Sequence, residues 1–173
     1  MPFDPNAKDV TVAVVGTGTV TKQPDKPVYL CGEEVVLSAT TVPGWSFAGY
    51  SGDVVAEAPT TSVTIDAPQN VTATFTIKSY IVSANPGVNG SLDATTPSPT
   101  AVNYWSTTSF KFNADSGYYV SSVSGCGGSA YTNSDQNIFS YTYTTGSITD
   151  TCSVNATFTQ ISAVGPDFSS ATY

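Results

Sequence analysis

The chain has 173 residues, enough for one domain or two small ones. Only 10% of them are charged, the net charge is −8, all five cations are Lys and His is absent, which excludes nucleic-acid binding, His-based catalysis and His-ligated zinc. Val (20), Thr (26) and Tyr (10) against three Leu exclude a helical bundle.

In chain order, the opening Met1-Pro2-Phe3-Asp4-Pro5 has neither the basic region nor the apolar core of a secretory signal. The expectation is a cytosolic protein, or the mature part of an exported one. Strands are expected over about 9–15, 18–22, 34–40, 45–51, 61–65 and 71–76. Val10, Val12 and Val14 share one face of the first, and Gly16-Thr17-Gly18 is the expected hairpin turn to the second. Val35, Leu37 and Ala39 alternate with Glu34, Val36 and Ser38. Pro43-Gly44 turns the chain into a run where Trp45 and Phe47 share a face and are expected in the core. Val63 and Ile65 alternate with polar neighbours, as do Val71, Ala73 and Phe75. A period of two in nearly every run predicts half-buried antiparallel sheet. No window shows helical periodicity, and no apolar run approaches the roughly 18 residues of a membrane span.

The pattern then repeats. Val71-Thr72-Ala73-Thr74-Phe75-Thr76 returns as Val154-Asn155-Ala156-Thr157-Phe158-Thr159. Gly44-Trp45-Ser46-Phe47 corresponds to Gly117-Tyr118-Tyr119-Val120, Ser51-Gly52 to Ser124-Gly125, and Gly18-Thr19-Val20 to Gly90-Ser91-Leu92. After Gly125 the second copy carries about ten extra residues. The expected organisation is an N-terminal extension at 1–8, a first β-repeat at 9–77, a second with an insertion at 78–160, and a linker or tail at 161–173. The fold class is all-β: two tandem small antiparallel units, sandwich-like or β-grasp-like without a long helix.

Copy one resembles the bacterial extracellular repeats related to the internalin B-repeat. The motifs that carry the resemblance are Gly18-Thr19-Val20, the segment Tyr29 to Ala39, the segment Gly44 to Gly52 with Tyr50 in place of a second Trp, and Val71 to Phe75. Copy two departs further: Trp105 stands where Gly32 does, and Cys126 where Asp53 does. The resemblance implies a compact all-β unit of an exported multi-repeat surface protein or adhesin, with no catalytic role.

The candidate sites are few. Cys126 and Cys152 each lie at a strand junction, and a bridge between them would stabilise by roughly 3 kcal/mol against the entropy of the insertion. The expected pairing is Cys126–Cys152, with Cys31 a buried free thiol, and it favours an oxidising compartment. Gly16-Thr17-Gly18 lacks the helix and acidic partner of a dinucleotide loop. Glu33 and Glu34 point to opposite faces and cannot flank one glycosidic bond. Asp53, Glu57 and Asp66 surround a predicted hairpin without Ca²⁺-loop spacing. Lys111, between Phe110 and Phe112, reads as a solvated strand residue. Tyr50, Trp105, Tyr118, Tyr119, Tyr131, Tyr141 and Tyr143 exceed what two small cores hold, so some rings are expected on the surface. Tyr141 and Tyr143, sharing one strand face, with Tyr118 and Tyr119, form the expected ligand or partner face. Sequons at Asn70, Asn89 and Asn155 fit exported loops.

The function expected from these features is a structural segment of an exported bacterial protein, a spacer, stalk or assembly unit with an adhesive variant included. It is extracellular or at the cell surface, is not an enzyme and carries no cofactor or metal. Its partners are neighbouring repeats or subunits, with a cell-surface glycan or protein in addition. The alternative is a carbohydrate-binding module using the Tyr-rich face of the second repeat.

Overall fold

The computed structural model describes residues 7–162. The expected extension at 1–8 and tail at 161–173 therefore lie outside the described residues, apart from 7–8 and 161–162. The described chain holds fourteen strands and no helix. It divides at Lys78/Ser79 into two compact units, Met1–Lys78 and Ser79–Tyr173.

In unit 1 the strands are β1 (Val10–Val15), β2 (Gly18–Gln23), β3 (Glu33–Thr41), β4 (Trp45–Gly52), β5 (Thr60–Ile65) and β6 (Gln69–Ile77). They form two three-stranded sheets, ordered β1-β6-β4 and β2-β3-β5. Two features depart from expectation. Gly16-Thr17 is not a hairpin turn: it carries the chain from the first sheet to the second, so β1 and β2 do not pair. The sheets are also not wholly antiparallel, because β1 runs parallel to β6, Val12 opposite Val71. Parallel neighbours need a long crossover, and the remainder of the unit supplies it. The two sheets share one core of Val10, Val35, Leu37, Tyr50, Ile65, Val71, Ala73 and Phe75. Trp45 and Phe47 pack against that core half-buried, and Phe47 meets Phe75 edge-on at 5.4 Å.

In unit 2 the strands are β7 (Ser79–Asn85), β8 (Gly90–Leu92), β9 (Thr100–Asn103), β10 (Ser109–Ala114), β11 (Tyr118–Gly125), β12 (Tyr131–Thr132), β13 (Ser140–Thr144) and β14 (Cys152–Gln160). The sheets run β12-β11-β14-β7-β9 and β13-β10-β8. The strand order matches unit 1 element by element: β7 is parallel to β14 as β1 is to β6, and β11 pairs antiparallel with β14 as β4 does with β6. Both antiparallel pairs carry a register shift near the same place, between Phe47 and Gly49 and between Val120 and Ser122. The two additional strands are extensions of isolated bridges in unit 1. Lys8–Tyr29 stands where Tyr80–Val102 lies in β7 and β9, and Tyr50–Ala56 where Val123–Tyr131 lies in β11 and β12.

The cores are filled differently within this shared frame. Unit 1 places Leu37 and Ala39 on β3 and the larger Phe47 and Tyr50 on β4. Unit 2 reverses the sizes, with Phe110 and Phe112 on β10 and Val120 and Val123 on β11, all four fully buried. Exchanging large and small residues across two sheets conserves core volume, the kind of change a core tolerates best.

Candidate functional site

The Tyr-rich face expected to meet a ligand is in large part core. Tyr143 is 1% exposed and its hydroxyl donates to the Gly125 carbonyl at 2.7 Å. Tyr119 is buried as well. On β13, Tyr143 lies opposite Phe110 and Tyr141 opposite Phe112, so the face the two tyrosines share is the inward one. Tyr141 is half-buried and stacks on Tyr131, ring centroids 3.8 Å apart. Burial pushes the Tyr131 hydroxyl above its ordinary range, with the Tyr141 and Asp135 charges adding to the effect. Tyr118 is half-exposed. A period of two correctly puts Tyr141 and Tyr143 on one face, but it does not say which face is wet.

The other sequence candidates remain apart. Asp53 accepts the Asn70 amide on Oδ2 at 2.8 Å, while Asp66 accepts from the Cys31 thiol at 3.7 Å. Among the described residues no three of Cys, Asp and Glu gather as a metal would require. Cys31, expected to be buried, is exposed, because it sits in the turn Leu30-Cys31-Gly32-Glu33 ahead of β3. Lys111 points to solvent, as the flanking buried Phe110 and Phe112 require, and its Nζ lies 3.1 Å from Asp93 Oδ2. Asp93 also accepts from the Thr95 hydroxyl at 2.6 Å, the Thr95 amide at 3.0 Å and Asn113 Nδ2 at 3.1 Å. Those bonds, the Thr95 hydroxyl first, hold its carboxyl well below the usual carboxylate range. Glu33 is lowered in the same sense, first by its bond with Lys26 and then by the Leu30 amide.

The disulfide joins Cys126, just after β11, to Cys152, at the start of β14, with Cα atoms 5.5 Å apart. Unit 1 closes the same joint without a covalent bond: Asp53, the counterpart of Cys126, binds the Asn70 amide and donates its own amide to the Asn70 carbonyl. Beside the disulfide lies a cleft of about 210 Å³ lined by Cys126, Gly127, Ser147, Ile148, Thr149, Asp150 and Cys152. Its wall is fixed to a neighbouring turn. The Trp105 amide donates to the Ile148 carbonyl at 2.7 Å, and the Ile148 amide donates to Ser106 at 2.9 Å.

That turn, Asn103-Tyr104-Trp105-Ser106, holds Trp105 at φ +65° with the side chain 66% exposed. A β-carbon in this region costs about 1–2 kcal/mol. In unit 1 the corresponding residue is Gly32 at φ +86°, with the matching bond from its amide to Ile65. Sequence reading found Trp105 in the place of Gly32 but missed Tyr104 beside it, whose ring centroid is 5.8 Å away, and the cleft. The adjacency of the two rings was a visible signal; Ser147, Thr149 and Asp150 carry none until the chain folds.

The described chain is thus a pair of small all-β units of the same strand order. Residues 8–79 match the family model of the divergent InlB B-repeat domain. The first unit is a divergent InlB B-repeat, a repeat domain of the kind that builds bacterial surface proteins. No curated protein and no solved structure matches the chain.

Proposed function

We propose that the chain is a non-enzymatic structural segment of an exported bacterial surface protein, a spacer, stalk or assembly unit made of two copies of one repeat, with neighbouring repeats or subunits as its partners. The observation that carries this reading is the equivalence of the two units. Each strand, the parallel pairing, the bulge and both isolated bridges of unit 1 recur in unit 2, although the family model covers the first unit alone. Tandem repeats with self-contained cores extend a chain by simple addition, which suits a segment that holds something else at a distance. The Cys126–Cys152 disulfide supports an oxidising location outside the cytoplasm. No helix among the described residues is long and apolar enough to cross a membrane.

The test is accessibility on the producing bacterium. Antibody raised against folded unit 1 should stain intact cells or bind the culture medium, and protein recovered there should hold Cys126 and Cys152 oxidised. Staining only after lysis, with all three cysteines alkylated as free thiols, would contradict the proposal.

A further inference from the structure

The two units differ in the residues of one turn that both share. In unit 1 it is Leu30-Cys31-Gly32-Glu33, and in unit 2 Asn103-Tyr104-Trp105-Ser106; both close with an amide-to-carbonyl bond across the turn. The third position has positive φ in both units, where glycine is the unstrained choice. Unit 2 places there the largest side chain available, leaves it two-thirds exposed and sets a second aromatic ring next to it. Folding explains none of this: the ring adds little to the core and the backbone is strained by it. Strained positions of this kind cluster at ligand-binding and active sites.

What surrounds the turn indicates the use. Two backbone bonds tie it to Ile148, a residue 2% exposed that lines the cleft beside the disulfide. Ser147, Thr149 and Asp150 line that cleft, and the Asp150 carboxylate is held by accepting the Thr151 amide on Oδ1 at 2.7 Å. An exposed apolar ring on a turn bonded to the wall of a small recess lined by Ser, Thr and Asp suits a molecule with an apolar face and a hydroxyl-bearing edge, and a pyranose has that form. The charge argues that the sugar is neutral. A chain of net charge −8 without Arg, with Asp150 in the cleft, repels sialylated or sulfated glycans. A protein partner would need roughly 800 Å² on this side, and two aromatic rings supply about 150–250 Å² each.

We propose that the Tyr104–Trp105 turn and the adjoining cleft of unit 2 form a binding site for neutral carbohydrate. One sugar ring stacks on the Trp105 indole, and its hydroxyls bond to Ser147, Thr149 and Asp150. The site goes beyond the structural role proposed above and does not depend on it. Both of its walls are held by the fold, the turn through Ile148 and the cleft through the disulfide, so little is lost in ordering it on binding.

The test uses the whole chain on an array of neutral hexose and N-acetylhexosamine oligosaccharides with sialylated and sulfated ones alongside. Neutral array members that bind are then titrated against a Trp45→Phe protein, in which Trp105 is the sole indole. The expected result is retention of at least one neutral oligosaccharide, with a change in Trp105 fluorescence on titration. Trp105→Gly, which installs the residue of unit 1, should weaken binding roughly tenfold or more while leaving the melting temperature unchanged or raised. Asp150→Asn should weaken it too. The proposal would be overturned by no neutral sugar retained at millimolar concentration, by binding confined to anionic glycans, or by neutral-sugar binding undiminished in Trp105→Gly. Concentration-dependent self-association that Trp105→Gly abolishes, without sugar binding, would reassign the ring to a protein contact and overturn it equally.

Discussion

Gly18 and Gly90 occupy the same place in the two units, and in both the position is set by close approach. A β-carbon on Gly18 would clash with the Phe75 ring, and one on Gly90 with the Phe158 ring. Gly18→Ala and Gly90→Ala should each destabilise their own unit by about 1–3 kcal/mol, the range for overpacking a well-filled core. Denaturant melts would show this as a shift of one transition with the other unmoved. Asp93 makes a different prediction, one of pH. Its bonds to Thr95, Asn113 and Lys111 keep it ionised in the folded chain below the ordinary aspartate value of 3.8. A depressed folded pKa gives stability that is fully present above the unfolded value and is lost as pH falls through the folded one. Unfolding measured from pH 5 downward should therefore lose stability below about pH 4, and Asp93→Asn should flatten that acid limb. An unchanged limb in the variant would show that the contacts of Asp93 contribute nothing to folding.

At the scale of elements, the joint between β11 and β14 is closed by a disulfide, and its counterpart between β4 and β6 by Asp53 on the Asn70 amide. Breaking Cys126–Cys152 frees a loop of 26 residues, which the chain-entropy model values at about 3–4 kcal/mol. The Cys126→Ser/Cys152→Ser protein should lower the melting of unit 2 accordingly and leave unit 1 unaffected, as calorimetry would resolve. The converse is sharper. Asp53→Cys/Gln69→Cys places a pair at the equivalent positions of unit 1 and should form a bridge in oxidising buffer, detected by peptide mapping; two free thiols there would show that the joints are not equivalent. Strand positions in unit 1 were legible because half-buried strands alternate visibly, and the six expected runs fall within about two residues of β1 to β6. The partner of each strand was not legible. Nothing in Val10 to Val15 says whether its neighbour runs parallel, and the turn Gly16-Thr17 looks the same whether it closes a hairpin or crosses between sheets. For the same reason Tyr141 and Tyr143 were expected at the surface. Their burial is decided by Phe110 and Phe112 on the strand opposite, a register that only folding reveals.

At the scale of the whole molecule, the two units preserve a frame while exchanging the residues that fill it. Leu37 and Ala39 against Phe47 and Tyr50 become Phe110 and Phe112 against Val120 and Val123. Self-similarity was therefore faint along the chain yet clear in the pairing, since pairing follows backbone geometry and strand order while identity follows packing detail. The central claim is that the chain is two self-sufficient copies of one repeat arranged as a structural segment, and stretching a single molecule tests it most directly. Pulled from its ends, the oxidised chain should unfold in two separate steps. Residues 7–78 should release about 250 Å of contour length, and residues 79–162 about 200 Å, because the disulfide shields the loop it closes. Reduction should lengthen the second step alone, by about 90 Å. A single step for both units, or no resistance to extension, would contradict the account.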